Sequence, residues 1–209
     1  MQFTITLVIT LATVIVSIGA FNNQKLVDDL IFYPPAITRR NQWYRFITHG
    51  FIHADAIHLI FNMLAFYSFG ENVETLFGIY LGPMGKLFYV LLYFSALIVA
   101  SIPDFIKYRN SYHYRSLGAS GAVSAIIFAS ILFFPTGRVS FFFIPIPGYI
   151  FAVVYLIISS VLAKRGQDNI GHTAHITGAI YGLLFTYIVV TAFTDYDLLK
   201  MFIEQIRGN

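Results

Sequence analysis

The sequence predicts an all-α polytopic membrane protein, a bundle of six transmembrane helices. Three observations predict it. Hydrophobic residues fill 57% of the 209 positions and charged residues 11%, against about 45–50% and about 25% in soluble domains. Mean hydropathy is +0.72; 13 basic and 10 acidic side chains are too few to cover a water-facing surface on a 23.6 kDa chain. Six apolar segments also approach the roughly 20 residues that a helix needs to cross a hydrocarbon core, where only helices or closed barrels satisfy the backbone. Period-two alternation is absent, which argues against the barrel.

The first segment, residues 3–21, carries no charge. Ser17 and Gly19 offer a small-x-small cleavage pattern, but no basic stretch precedes the apolar run, so a retained helix is expected rather than a signal peptide. Residues 22–55 form a long connection containing Trp43, Tyr44, Phe46, Phe51 and Ile52. Such a loop is expected to fold against the bundle or into the interface, where Trp and Tyr prefer to sit. The second helix is placed at 56–77, the third at 84–102 and the fourth at 117–134. The fifth is placed at 148–163, because Pro145 and Pro147 discourage an earlier start, and the sixth at 173–194. Residues 104–116 and 164–172 read as short polar loops. In the tail, 195–209, Leu198, Phe202 and Ile206 follow at i, i+4 and i+8, the pattern of a short amphipathic helix. No repeat or second domain interrupts the chain, so 1–209 reads as one membrane domain. With no cysteine, disulfides, thiolate metal sites and cysteine nucleophiles are excluded. The net charge of +3 lies in loops and does not signal nucleic-acid binding.

Polar side chains at membrane depth are costly and therefore functional candidates. The second helix carries His58 and Asn62, four residues apart and on one face. The fourth begins Gly118-Ala119-Ser120-Gly121, and the sixth Ala174-His175-Ile176-Thr177-Gly178. Read chemically, Ser120 is a nucleophile and His175 the base that takes its proton and returns it to a leaving amine. Ser120 at a helix N-terminus has free backbone N–H groups and the positive dipole end beside it, both suited to an oxyanion. Asn62 and His58 add side-chain donors. Gly118 and Gly121 leave room for a substrate backbone, and Gly178 with Gly182 makes a small-xxx-small face for close helix packing. Each feature alone has a plainer reading: membrane serines usually bond their own backbone, and Asn62 alone would serve as interhelical glue. Their co-occurrence on three helices, with little else polar at depth, favours chemistry.

These motifs resemble those of the rhomboid family of intramembrane serine proteases, over nearly the whole chain. The matching elements are Tyr44-Arg45, His58 to Asn62, Gly118 to Gly121, and Ala174 to Gly178 with Gly182, in the family's order. The resemblance implies a rhomboid-like six-helix bundle. It implies a Ser120–His175 dyad without an acidic third member, and an oxyanion hole of Asn62, His58 and the Ser120 N–H. It implies cleavage of transmembrane segments of other proteins within the lipid bilayer, with no metal or other cofactor. Arg45 and Glu74 match positions that hold the first loop and the second helix in place. Two departures stand out. Some bacterial members carry a ring four residues after the nucleophile, stacked under the catalytic histidine, where this chain has Ser124; Tyr181 or a hydrogen bond is then expected to orient His175. Before Arg45 stands Tyr44 instead of the frequent Trp.

The family orientation places the N-terminus in the cytoplasm and opens the site to the extracytoplasmic side, in a bacterial inner membrane. The charge count points the other way. The outer loops would hold Lys25, Arg39, Arg40, Arg45, Lys107, Arg109, Arg115, Lys164 and Arg165, the inner side Lys86, Arg138, Lys200 and Arg207, contrary to the positive-inside rule. Three other functions are weighed. A silent relative that binds or escorts membrane clients typically lacks the serine or histidine retained here. A metal enzyme using His53, His58, His172 and His175 has no HExxH motif or intramembrane carboxylate to accompany them. A transporter would favour inverted repeats with broken helices, which are absent.

Overall fold

Thr4 opens the first helix, α1 (Ile5–Phe21), its hydroxyl accepting the Leu7 N–H at 3.1 Å. The long first connection then winds through three short helices, α2 (Gln24–Leu30), α3 (Pro34–Arg40) and α4 (Arg45–Thr48), and a 3₁₀ turn at His49–Phe51. Part of its apolar set folds inward: Phe32, Ile37, Phe46 and Ile52 are buried, whereas Trp43 and Tyr44 stay exposed. Asp55 caps α5 (Ala56–Leu81) by accepting the His58 N–H at 2.8 Å. Gly82, at φ +55°, and Pro83 turn the chain through one 3₁₀ turn into α6 (Gly85–Tyr108). The remaining helices are α7 (Ser120–Phe133), α8 (Gly148–Arg165), α9 (His172–Phe193) and α10 (Leu198–Arg207). This is a computed structural model describing residues 3–141, 144–165 and 171–208. Residues 166–170 of the fifth loop and Asn209 of the tail, both included in the sequence expectations, lie outside the described residues.

Helix α5 runs on to Leu81, past the expected end at 77, and two further boundaries differ from the sequence expectation for physical reasons. Helix α6 continues past residue 102 and through Pro103, so Asp104 lies inside it, buried, accepting the Tyr114 hydroxyl at 2.7 Å. Helix α7 begins at Ser120 and not at 117, because Gly118 takes φ +110°, which no helix accommodates. The chain between α7 and α8 contains a small antiparallel hairpin, β1 (Arg138–Phe141) with β2 (Ile144–Pro147), in the register Val139↔Ile146. Its prolines are tolerated because a two-stranded ladder consists of edges.

Among the described residues, two helical stretches are long and apolar enough to cross a membrane: Ala56–Tyr108, which is α5 turned into α6, and His172–Phe193. Helices α1 and α7, and residues Gly148–Lys164 of α8, are apolar but fall short of that test.

Helix α7 is the centre of the fold. Every residue from Gly121 to Phe133 is buried, as befits a helix apolar on all sides. It is packed against α5, α6 and α9. The outer helices turn large apolar side chains outward, including Ile15, Phe61, Leu64, Ile157, Leu184 and Ile188. The tail forms the amphipathic helix α10, capped by Asp197, which accepts the Lys200 N–H at 2.9 Å. Leu198 is buried, Ile206 stays 40% exposed, and Gln205 donates to Phe133 O at the C-terminal end of α7.

Candidate active site

Helix α9 meets α7 backbone to backbone. A methyl group on Gly178 would lie 2.0 Å from Gly121 O, and one on Gly182 would lie 2.1 Å from Ala125 O. A methyl on Gly121 would meet Ala100 Cβ at 2.6 Å and Ala174 O at 3.4 Å. Gly121 follows Ser120, and Ala174 precedes His175, so this contact sets the first turns of α7 and α9 side by side. Ser120 is the first residue of α7, which begins without a side-chain cap, leaving its first-turn N–H groups to find other acceptors.

The third contributor is the start of α5. A methyl on Gly118 would lie 2.9 Å from His58 Cε1. The histidine therefore stands against the turn leading into Ser120. One turn along α5, Asn62 is buried and donates one amide hydrogen to His58 O at 3.0 Å, with the second available to another acceptor. The structure thus brings Ser120, His175 and His58 to one end of the bundle, with Asn62 one turn deeper. For Gly118 and Gly121 it corrects the sequence reading. Both are buried, and the space their missing side chains leave is filled by His58, α6 and α9 rather than left open for a substrate.

Two histidines that sequence reasoning did not weigh as supports hold this turn. Gly118 donates its N–H to His49 O at 2.9 Å. The Ser17 hydroxyl donates to Phe51 O at 2.9 Å, so His53 must donate from Nδ1 to Ser17 Oγ at 3.0 Å. That tautomer leaves Nε2 to accept the Ala119 N–H, at a long 3.5 Å. Burial, aided by the positive character of neighbouring His58 and His49, pushes the His53 pKa down to about 3, and burial holds His49 at about 4. Both are neutral at physiological pH, as the accepting Nε2 of His53 requires. Their spacing carries no signal in sequence, because their partners come from α1, α6 and the α7 turn.

Arg45 and Glu74 are both anchors. Arg45, buried, donates to Gln42 Oε1 at 2.7 Å and to the carbonyls of Asp28 and Ile31 at 2.8 and 2.7 Å, knitting the first connection together. Glu74 accepts the N–H groups of Ile5 and Thr6, each at 2.8 Å, and the Thr6 hydroxyl at 2.8 Å, tying α5 to the N-terminus of α1, where a carboxylate is favoured by the helix dipole.

Near His175 the structure departs from expectation. Tyr181 is turned elsewhere, donating to Ser95 Oγ at 2.7 Å. The ring beside His175 is Tyr155 of α8, with centroids 6.3 Å apart and planes 26° apart. Its hydroxyl lies 2.6 Å from Ser124 Oγ. His172 packs edge-on to His175 at 5.9 Å, and His53 edge-on to His58 at 5.0 Å. Among the described residues no three His, Asp or Glu side chains converge as a metal set; the four histidines considered for metal fall into two pairs.

A mostly helical bundle with an apolar exterior and a serine turn set against a histidine turn defines the class. The Rhomboid domain family matches residues 40–192, and the chain belongs to the rhomboid family, whose members are embedded in membranes. It is 31% identical over 186 residues to RHOMBOID-like protein 12, mitochondrial, of Arabidopsis thaliana, covering 83% of this chain and 54% of that protein. It is 28% identical to rhomboid protease GluP of Bacillus subtilis (70% of this chain, 26% of that one). It is 23% identical to rhomboid protease GlpG of Haemophilus influenzae, over 90% of this chain and 91% of that protein. The chain thus spans about half the length of the plant relative and about a quarter of the Bacillus one.

Proposed function

We propose that the protein is an intramembrane serine endopeptidase that cleaves transmembrane segments of other membrane proteins. The observation that carries this reading is the contact of Gly178 with the Gly121 carbonyl, which sets the Ser120 turn beside the His175 turn. In this reading His175 takes the Ser120 proton as the hydroxyl attacks the scissile carbonyl. The oxyanion is met by the Ser120 N–H, the free amide hydrogen of Asn62 and the His58 ring. His175 then protonates the departing amine, and water completes the cycle by attacking the acyl-enzyme. Serine, histidine and these donors suffice for each step. Two bacterial relatives bear the printed name rhomboid protease, which supports the assignment.

We further propose six spans with the N-terminus cytoplasmic. At about 1.5 Å per residue the 14 residues of α7 reach about 21 Å, less than a bilayer core of about 30 Å. A helix that short starts below one face, which supports a site recessed on the side of the first connection. The excess of positive charge on that side is partly neutralised locally. Arg45 is bound by loop carbonyls, and Arg115 pairs with Asp28 at 2.8 Å. Arg39 and Lys107 lie over the rings of Tyr112 and Tyr108. For the compartment, the plant relative is named as mitochondrial, so the bacterial inner membrane expected from sequence is not supported.

Cleavage of a transmembrane test substrate by the purified protein tests the function. Wild type should cut it, and Ser120→Ala and His175→Ala, folded, should each lose cleavage entirely. Wild-type rates in either variant would refute the dyad. A wild type that binds the segment without cutting it would make the protein a client-binding relative.

A further inference from the structure

We propose that the groove between α4 and α6 is a binding site for an anionic phospholipid. One acyl chain lies in the groove, and the phosphate meets Arg109, Arg39 and Arg40 at its mouth. The proposal does not depend on the endopeptidase reading.

The groove, about 370 Å³, is lined by Trp43, Phe46 and Ile47 on one wall and by Ile98, Ile102 and Phe105 on the other. That volume falls within the range of small-ligand sites. Apart from the Trp43 indole N–H the lining side chains are apolar, so they offer hydrocarbon contact and little that could recognise a peptide backbone. The walls are held by their own rings. Trp43 stacks on Phe46 with centroids 6.1 Å apart and planes 8° apart, and it meets Phe105 at 5.9 Å. Phe46 meets Phe105 at 5.3 Å. The indole nevertheless stays 56% exposed, and an exposed tryptophan favours the level of lipid headgroups.

One end of the groove is basic. Ile98, Ile102 and Phe105 follow at i, i+4 and i+7 along α6, and the same stripe reaches Arg109 at i+11. Arg109 keeps helical backbone angles, φ −55° and ψ −23°, so the stripe extends to it unbroken. Arg39 lies 4.8 Å over the ring of Tyr112, three residues beyond Arg109, which brings the end of α3, with Arg40, to that end of α6. Among the described residues no carboxylate forms an ion pair with any of the three arginines. Asp104, nearby on α6, is buried and occupied by the Tyr114 hydroxyl, and Asp28 pairs with Arg115. Contact with a tyrosine ring leaves the charge of Arg39 in place. An apolar channel that ends in uncompensated guanidinium groups complements an acyl chain that ends in a phosphate, which guanidinium binds through paired N–H donors.

Trp43 is the only tryptophan in the chain, so its fluorescence reports on the groove directly. The protein is reconstituted in phosphatidylcholine bilayers in which a fixed minor fraction of the lipid carries brominated acyl chains, which quench indole on contact. That fraction is either phosphatidylglycerol or phosphatidylcholine. Brominated phosphatidylglycerol should quench Trp43 more strongly, with a relative binding constant at least about tenfold higher. A basic residue near anionic lipid contributes about fivefold, so Arg109→Gln should lower the preference by that factor, and Arg39→Gln with Arg40→Gln should nearly abolish it. Lys107→Gln is the control. It removes the same charge on the opposite side of α6, about 160° round from Arg109, and should leave the preference unchanged. All four side chains are exposed, so these variants remove no packing. Unlabelled phosphatidylglycerol should relieve the quenching, and glycerol phosphate in solution should not. Equal quenching by the two brominated lipids would overturn the proposal. So would equal losses in Arg109→Gln and Lys107→Gln, which would reduce the effect to general surface charge. Relief by glycerol phosphate would leave an anion site without an acyl groove. Relief by a transmembrane test peptide but not by phosphatidylglycerol would assign the groove to polypeptide. Absence of quenching by either lipid would mean that protein, such as a second copy, covers it. Each of these three results also contradicts the proposal, and none of them bears on cleavage.

Discussion

Gly118 shows how one residue serves two constraints. Its φ of +110° suits glycine alone, at a cost of about 1–3 kcal/mol for any other residue. Independently, a methyl there would press on His58 Cε1 at 2.9 Å. The turn it makes is held by His49 and His53, and both should leave a signature in pH. Their folded pKa values, about 4 and about 3, lie below the ordinary 6.5, so the unfolded chain takes up protons first. Above about pH 6.5 both states are neutral and these groups add no pH dependence. As pH falls from there, stability is lost, through about 4 for His49 and about 3 for His53, by at most about 1.4 kcal/mol per unit for each. Thermal unfolding of the wild type in detergent should therefore fall steadily from pH 6.5 to pH 5. His49→Gln should show a shallower slope, whatever its starting stability. A flat wild-type profile, or equal slopes, would contradict the neutral-histidine account. At this scale the sequence exposed Ser120, His175, His58 and Asn62, because polarity stands out within apolar helices. It concealed the placements of His49, His53 and Tyr155, which arise from contacts between distant segments such as Ser17 with His53 and Ser124 with Tyr155.

Between helices, the decisive contact is α7 on α9. Glycine at 178 lets the two backbones approach more closely than any side chain would permit, as the 2.0 Å separation from Gly121 O makes plain. Gly178→Ala must force the helices apart at the level of Ser120 and His175. A displacement near 1 Å costs a reacting pair about a hundredfold in rate, so Gly178→Ala should lose that much kcat or more, together with thermal stability. Gly78→Ala is the control, since a methyl there meets nothing within 4 Å, and alanine favours a helix by about 1 kcal/mol over glycine. It should keep full activity at equal or higher Tm. A Gly178→Ala variant as active as this control would show that close packing does not set the site. The small-xxx-small face was visible in sequence, since Gly178 and Gly182 lie four apart. The β1–β2 hairpin was not, because Pro145 and Pro147 read as helix breaks and two short strands show no periodicity. The extension of α6 through Pro103 was also hidden, since its last turns are polar and resemble a loop.

The whole molecule is built around its central helix. Helix α7 is enclosed on every side, while the surrounding helices present Ile, Leu and Phe outward. Composition alone made this arrangement legible, because so little charge leaves lipid as the outer solvent. Orientation was less legible: under the orientation proposed above, the basic residues that run against a simple charge count include Arg45 and Arg115, both bound within the loops, and such pairing appears only in three dimensions. The central claim is that this enclosed helix presents an activated serine. A serine-reactive phosphonate applied to membranes containing the protein, followed by mass spectrometry of its peptides, tests that claim most directly. The account predicts one adduct, on Ser120, that disappears in a folded His175→Ala variant. An unmodified Ser120 in the folded wild type, or an adduct formed equally well without His175, would contradict it.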